Sequence, residues 1–210
     1  KCRYVLTSFP ETAERFKNGK YCGSPLRKEL FNGRRTEAIK KYGLAAGKKT
    51  VLVFGGGSGS RAINDGLRKY VSALSRKYNV LHLCGKGNVV ESNIPCYVQK
   101  EFEPDMGAAY AAADLVVSRA GSNAIFEILA LKKPSLLIPL EGQSRGDQAE
   151  NAAYFQKRHL CRVLKQADMD FLPEAIEDAL ADEELLSALA VSDFAGGNSN
   201  ILHELHRFLV

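Results

Sequence analysis

The chain has 210 residues, 45% of them hydrophobic and 25% charged, with a formal net charge of +5. That length holds one large domain, or one domain and pieces of a second, while apolar runs such as residues 135–140 are far too short to span a bilayer and no signal-peptide pattern opens the sequence. The positive balance is mild and no Lys/Arg block alternates with aromatics, which speaks against a nucleic-acid partner; an anionic ligand or an anionic membrane surface stays compatible with it.

In chain order, residues 2–9 read as a strand and 10–19 as a short helix or turn. Gly23-Ser24-Pro25 is a breaker, near which a boundary is expected. Residues 34–50 read as a polar helix, a glycine stop and a loop. From Thr50 the pattern becomes regular. Strands are expected over 50–56, 79–85, 95–102, 114–118, 134–140 and 161–165. Helices are expected over 60–78, 104–113, 122–132 and 146–159, then from about 172 onward, with a last one over 198–210 after Gly196-Gly197. Ile63, Leu67, Tyr70, Val71 and Leu74 recur at helical spacing.

Short, fully apolar strands alternating with helices predict an α/β fold, a parallel sheet with helices on both faces. Such sheets bind ligands at the C-terminal ends of their strands. Three loops therefore draw attention: GGGSGSR at 55–61, SRAGS at 118–122 and LEGQSRGDQ at 140–148.

The first loop is not a P-loop, because no Gly-Lys-Ser/Thr follows. Gly57-x-Gly59-x-x-Ala62 fits a loose dinucleotide fingerprint, but the next strand lacks the terminal acid that would grip a ribose. The loop either cradles phosphate at a helix start or is a tight turn with close packing. In the second loop, Ser122 is placed as an N-cap, with free amides at Asn123 and Ala124. Glu127 leans back toward that helix start. It is either an exposed acid favoured by the helix dipole or a group that can reach a hydroxyl beside a bound anion. Gln148 and Asn151, one turn apart, either face sugar hydroxyls with their amides or lie on a solvated face capped by Asp147. Asp168-x-Asp170 reads better as helix-start acids than as a metal site. Cys2, Cys22, Cys84, Cys96 and Cys161 are scattered and odd in number, with no disulfide or zinc spacing. The four histidines, His82, His159, His203 and His206, form no metal motif, and no nucleophile motif is present.

Taken together, GSPLR at 23–27, VLVFGGGSGSRAIN at 51–64, the long run from Glu101 to Leu140, and DQAENA at 147–152 resemble one family, and the likeness runs from about Tyr4 onward. It is the MurG family of GT-B glycosyltransferases, which add N-acetylglucosamine to undecaprenyl-pyrophosphoryl muramyl-pentapeptide, and the likeness is to its C-terminal half. The resemblance implies a Rossmann-like C-terminal GT-B domain. Residues 1–27 would be the tail of an N-terminal acceptor domain and 28–48 a linker. Residues 49–195 would form the UDP-sugar donor domain and 196–210 a C-terminal helix.

By the same resemblance, Arg27 is the interdomain arginine near the donor. Gly57 and Ser58 lie at the diphosphate, where the family usually has Ser at the position of Gly57. Glu103 stands where the family's backbone faces uracil, usually with an apolar side chain. Ser122, Asn123, Ala124, Ile125 and Phe126 form the helix start at the diphosphate, Glu127 grips the ribose, and Gln148 and Asn151 meet the GlcNAc hydroxyls. The implied reaction is inverting: the acceptor's 4-hydroxyl displaces UDP from UDP-GlcNAc, with no cofactor and no required metal. The general base and the contacts to the lipid-linked acceptor are expected in the N-terminal domain, outside this sequence, at the cytoplasmic face of the cell membrane. Other readings stay open: a related transferase with another lipid acceptor, a nicotinamide-dependent (NAD) protein, and a non-catalytic nucleotide-sugar module.

Overall fold

A β-α-β unit of minimal size opens the chain. Strand β1 (Val5–Thr7), helix α1 (Pro10–Glu14) and β2 (Gly19–Tyr21) make a two-stranded parallel sheet. The computed structural model describes residues 2–140, 147–194 and 196–209. A 3-10 turn at Lys28–Asn32 and helix α2 (Arg35–Lys41) lead into β3 (Thr50–Phe54), α3 (Arg61–Lys77), β4 (Asn79–Leu83) and β5 (Tyr97–Lys100). Helix α4 (Met106–Ala112), β6 (Leu115–Ser118), α5 (Ser122–Ala130), β7 (Ser135–Leu137), α6 (Asp147–Gln156) and β8 (Arg162–Val163) follow. A 3-10 stretch at Gln166–Phe171 then gives way to α7 (Leu172–Ala181), α8 (Glu183–Val191) and α9 (Asn198–Leu209).

Every residue of β3, β4 and β6 is buried. Side chains alternate across a strand, so such strands need cover on both faces. Leu52, Phe54, Leu81, Leu83 and Val116 pack on one side with Tyr110 of α4 and Ala38 of α2. Val51, Val53, Val80, Leu115 and Val117 pack on the other with Ile63, Leu67, Val71 and Leu74 of α3 and with Ile176 of α7. Each fully buried aliphatic side chain contributes about 1.5–3 kcal/mol.

The six-stranded sheet is parallel throughout, in the order β5-β4-β3-β6-β7-β8. The chain starts in the middle, runs to one edge, then returns to build outward to the other. Beyond the C-terminal ends of β3 and β6 the direction reverses, and the connecting loops part to leave a crevice. The α/β reading from the sequence is the observed architecture. Strand β2 and the two 3-10 stretches were not legible in the periodicity.

The stretch read as a linker, 28–48, is packed rather than bare: Leu30, Ala38, Tyr42 and Leu44 are buried in the core. At the other end, Asn198 bonds both backbone groups of Leu26, at 2.7 Å each, and so ties the start of α9 to the segment after β2. Phe9 packs edge-on against Phe126 and Tyr154, fixing the N-terminal unit to α5 and α6.

Candidate functional site

Two loops meet at the reversal point. The first, Gly55–Ser60, turns from β3 into α3. Ser60 is the N-cap and accepts from the Ile63 amide at 3.4 Å. The turn demands glycine at particular positions. Gly59 has φ +80°, and a Cβ there would lie 2.1 Å from the Cys84 carbonyl oxygen. Gly55 has no more room, with Ser60 N 2.4 Å from its ideal Cβ. Gly57 meets nothing within 4 Å and needs no left-handed backbone. Close packing thus explains Gly55 and Gly59, whereas Gly57 and Ser58 face open space.

The second loop, Arg119–Gly121, joins β6 to α5. Here the structure corrects one sequence expectation. The N-cap of α5 is Gly121, not Ser122, and no side chain caps the helix. A glycine cap leaves the amides of Ser122, Asn123 and Ala124 without intrahelical acceptors, while the Ile125 amide already donates to Gly121 O at 3.1 Å. The uncapped end carries partial positive charge. Ile125 and Phe126 point into the core at 2% and 3% exposure. They anchor the helix start, and their side chains do not face the crevice.

The crevice holds two cavities. The larger, about 780 Å³, is lined by Gly55, Gly56, Ser58, Arg119, Gly121 and Gln148 among others. The smaller, about 240 Å³, is lined by Arg27, Gly57, Glu103, Tyr110, Asn123 and Glu127 among others. Ala124, Phe54 and Gly56 line both, so the two are continuous around the start of α5.

Glu127 has both carboxylate oxygens hydrogen-bonded. One oxygen accepts from the Tyr110 hydroxyl at 3.0 Å and the other from Arg27 at 3.1 Å. Tyr110 is 1% exposed. Burial, then the Glu127 charge and the bond to it, push its phenol well above the ordinary value, so it stays a donor. The Arg27 side chain is largely exposed. Glu127 lines the smaller cavity, and an ionised carboxylate can only accept hydrogen bonds there.

Glu103 also lines the smaller cavity and is 2% exposed, its side chain turned inward onto its partners. It accepts from Lys41, Lys100 and the Asp105 amide. Burial alone would raise its carboxyl, but these hydrogen bonds outweigh burial and hold it below the usual value. The turn after β5 is therefore pinned from beneath, with Phe102 left 64% exposed at the rim.

On the rim formed after β7, Gln148 lines the larger cavity and accepts from the Leu140 amide at 3.1 Å. Asn151 donates to Ala120 O at 3.2 Å and so touches the loop before α5. The middle of the third loop, 141–146, lies outside the described residues. Asp168 and Asp170 stand apart from both cavities. Asp170 accepts from Lys69 and Tyr70. Among the described residues no group of three or more His, Cys, Asp or Glu side chains could hold a metal ion.

Three contributors escaped the sequence reading. Tyr110 was read only as part of a helix, although its place opposite Glu127 needs the sheet to bring them together. Arg119 stands inside the SRAGS loop and bonds Ser60 Oγ at 2.7 Å, Gln166 at 2.7 Å and the carbonyls of Ile138 and Pro139 at 3.1 Å. Gln166, on the far rim, had no local signal.

A Rossmann-like parallel sheet with a glycine turn, an uncapped helix start and a carboxylate at one crevice is the architecture of one half of a GT-B-type glycosyltransferase fold. The model of the glycosyltransferase family 28 C-terminal domain matches residues 50–194. The chain belongs to that family.

Curated relatives agree. A UDP-N-acetylglucosamine--N-acetylmuramyl-(pentapeptide) pyrophosphoryl-undecaprenol N-acetylglucosamine transferase of Clostridium perfringens is 38% identical over 210 residues, covering 96% of this chain and 59% of that protein. The same-named protein of Oceanobacillus iheyensis is 45% identical over 170 residues, covering 79% and 48%. The chain thus spans about half the length of the curated relatives it matches. In fold it is similar to Acinetobacter baumannii MurG, with a TM-score of 0.65 at 20% identity over 90% of this chain and 56% of that one. It is also similar to the glycosyltransferase of kitacinnamycin, with a TM-score of 0.73 at 19% identity over 96% and 54%.

Proposed function

We propose that this chain is the donor-binding half of an inverting transferase of peptidoglycan synthesis. It moves GlcNAc from UDP-GlcNAc to undecaprenyl-pyrophosphoryl-MurNAc-pentapeptide. The names of the relatives support the reaction. The observation that carries the donor reading is Glu127: a carboxylate lining a cavity of about 240 Å³, one helical turn and a half from an uncapped helix start.

In this reading uracil lies against the turn at Glu103, and Glu127 accepts from the ribose hydroxyls. The diphosphate meets Gly57, Ser58 and the amides of Ser122, Asn123 and Ala124. Gln148 and Asn151 turn toward GlcNAc. Arg27 exchanges Glu127 for the donor when the cavity fills. The acceptor's 4-hydroxyl attacks the anomeric carbon and the C–O bond to UDP breaks with inversion. Amides and the helix dipole stabilise the negative charge gathering on the leaving diphosphate, and we expect no metal to be required. The proton from the 4-hydroxyl goes to a base outside this chain, in the acceptor domain that the family's other half would supply.

The acceptor is lipid-linked, so the whole protein would work at the cytoplasmic face of the membrane as a peripheral enzyme. No helix among the described residues is long and apolar enough to cross a membrane. Anionic lipid suits the positive balance of the chain.

The test is calorimetric titration with UDP-GlcNAc, UDP-glucose and NAD, beside Glu127→Ala. UDP-GlcNAc should bind and the variant should lose at least about tenfold, roughly 1.4 kcal/mol. Preferential binding of NAD would overturn the reading.

A further inference from the structure

We propose that Arg119 is a positioning residue that holds the two walls of the larger cavity in register for a diphosphate-bearing ligand. The ligand class rests on the donor-site reading above; the geometry does not. Arg119 leaves the end of β6 and spreads its guanidinium across the cavity floor. Nε and Nη2 donate to Ser60 Oγ at 3.1 and 2.7 Å. Nη1 donates to the Ile138 and Pro139 carbonyls, both at 3.1 Å. Nη2 also donates to Gln166 Oε1 at 2.7 Å. A guanidinium has five N–H donors in a planar fork, and each of its three nitrogens is engaged.

Each partner controls a different wall. Ser60 is the N-cap of α3, and the glycine turn folds back on it through the close approach of Gly55. Moving Ser60 moves the loop that faces a diphosphate. Ile138 and Pro139 are followed by Leu140, whose amide donates to Gln148. The sugar-side wall is thereby registered against the phosphate-side wall through one side chain. Gln166 brings in the segment after β8. None of Ser60, Ile138, Pro139 or Gln166 lines the smaller cavity.

Two consequences separate this role from a merely structural one. First, the fork, not the charge, is what matters. A lysine keeps the charge but presents its donors from one atom and cannot bridge both walls and Gln166 at once. Second, the effect should fall on the diphosphate and spare the nucleoside.

The experiment compares wild type, Arg119→Lys and Ser60→Ala by two readouts. Amide hydrogen exchange on the ligand-free protein should rise at 55–60 and 138–140 in Arg119→Lys while β4 stays protected. UDP affinity should fall about tenfold, the scale of a lost hydrogen-bond pair to a charged group, with uridine affinity held within about twofold. Ser60→Ala, a smaller change that leaves the sheet untouched, should reproduce part of both effects. The double variant should add little to Arg119→Lys, because the two side chains share their bonds. Equal losses for uridine and UDP, or restored UDP affinity in Arg119→Lys, would overturn the proposal. If wild type binds neither ligand, the donor-site reading fails, and exchange alone decides: unchanged protection at both walls overturns the proposal, and raised protection loss at both upholds the coupling.

Discussion

Tyr110, buried under α5, donates its hydroxyl to Glu127 at 3.0 Å and fixes one carboxylate oxygen, while exposed Arg27 covers the other at 3.1 Å. The two partners are unequal. A buried tyrosine holds its place, whereas an exposed arginine yields to a ligand at little cost, since such ion pairs contribute only about 0–1 kcal/mol. The carboxylate is thus oriented on one side and available on the other.

Tyr110→Phe should therefore weaken UDP binding by roughly three- to tenfold, the scale of one hydrogen bond to a charged group. Binding of the 2′,3′-dideoxy analogue should barely change, because it has no hydroxyls for Glu127. Calorimetry with the two nucleotides checks this, and equal losses for both would show that Tyr110 acts only through the core.

The glycine turn makes opposite forecasts two residues apart. A Cβ at Gly59 would lie 2.1 Å from the Cys84 carbonyl at φ +80°, so Gly59→Ala should cost about 2–3 kcal/mol in chemical denaturation. Gly57 has open space. Gly57→Ser should leave stability within about 0.5 kcal/mol and tighten UDP a few-fold by adding a hydroxyl at the diphosphate.

His82 is fully buried, bonded to Asn64 and Tyr97 at 2.9 Å each. Burial first, then the Arg68 charge, lower it from 6.5 to about 4. The unfolded chain binds that proton more readily. The stabilisation is present above pH 6.5 and is lost as pH falls through about 4, a change of about 3 kcal/mol at most. Denaturant unfolding between pH 7 and 4 should show this loss, and His82→Gln should remove most of the slope.

Glu103 acts in a lower window. Its carboxyl is held below the ordinary 4.5, so its contribution is intact above that value and is lost as pH falls through the depressed one. At neutral pH Glu103→Ala takes one partner from Lys41, which keeps Asp105, and one from Lys100, and leaves the Asp105 amide without its acceptor; with both lysines about a third exposed, the loss should be about 1–3 kcal/mol. Thermal unfolding at pH 7 measures it. A change under about 1 kcal/mol would mean that solvent replaces the carboxylate there.

How much of the site was legible depends on how local each signal is. Glu127 could be picked from the sequence because it sits a fixed number of residues from a strand-to-helix turn. Its reach back toward the helix start is set by helix geometry alone. The N-cap was misplaced by one residue because glycine and serine both serve as caps, and only the backbone angles of Gly121 decide between them. Ile125 and Phe126 were placed at the helix start by the family resemblance, and the helical rotation turns their side chains into the core. Tyr110 and Arg119 were not singled out, since their roles depend on partners 17 and 59 residues away.

The sequence by itself determined most of the elements, the parallel sheet and the loops at its C-terminal edge, because apolar periodicity and glycine punctuation act over a few residues. Only the tertiary structure decided which side chains meet. The β5-β4-β3-β6-β7-β8 order places the turns after β3 and β6 side by side, and that adjacency is what brings Arg119 to Ser60. The inward fold of Glu103 likewise needs Lys41 from α2 to arrive beneath it. Such pairings are fixed by strand order and packing, which no short stretch of sequence encodes alone.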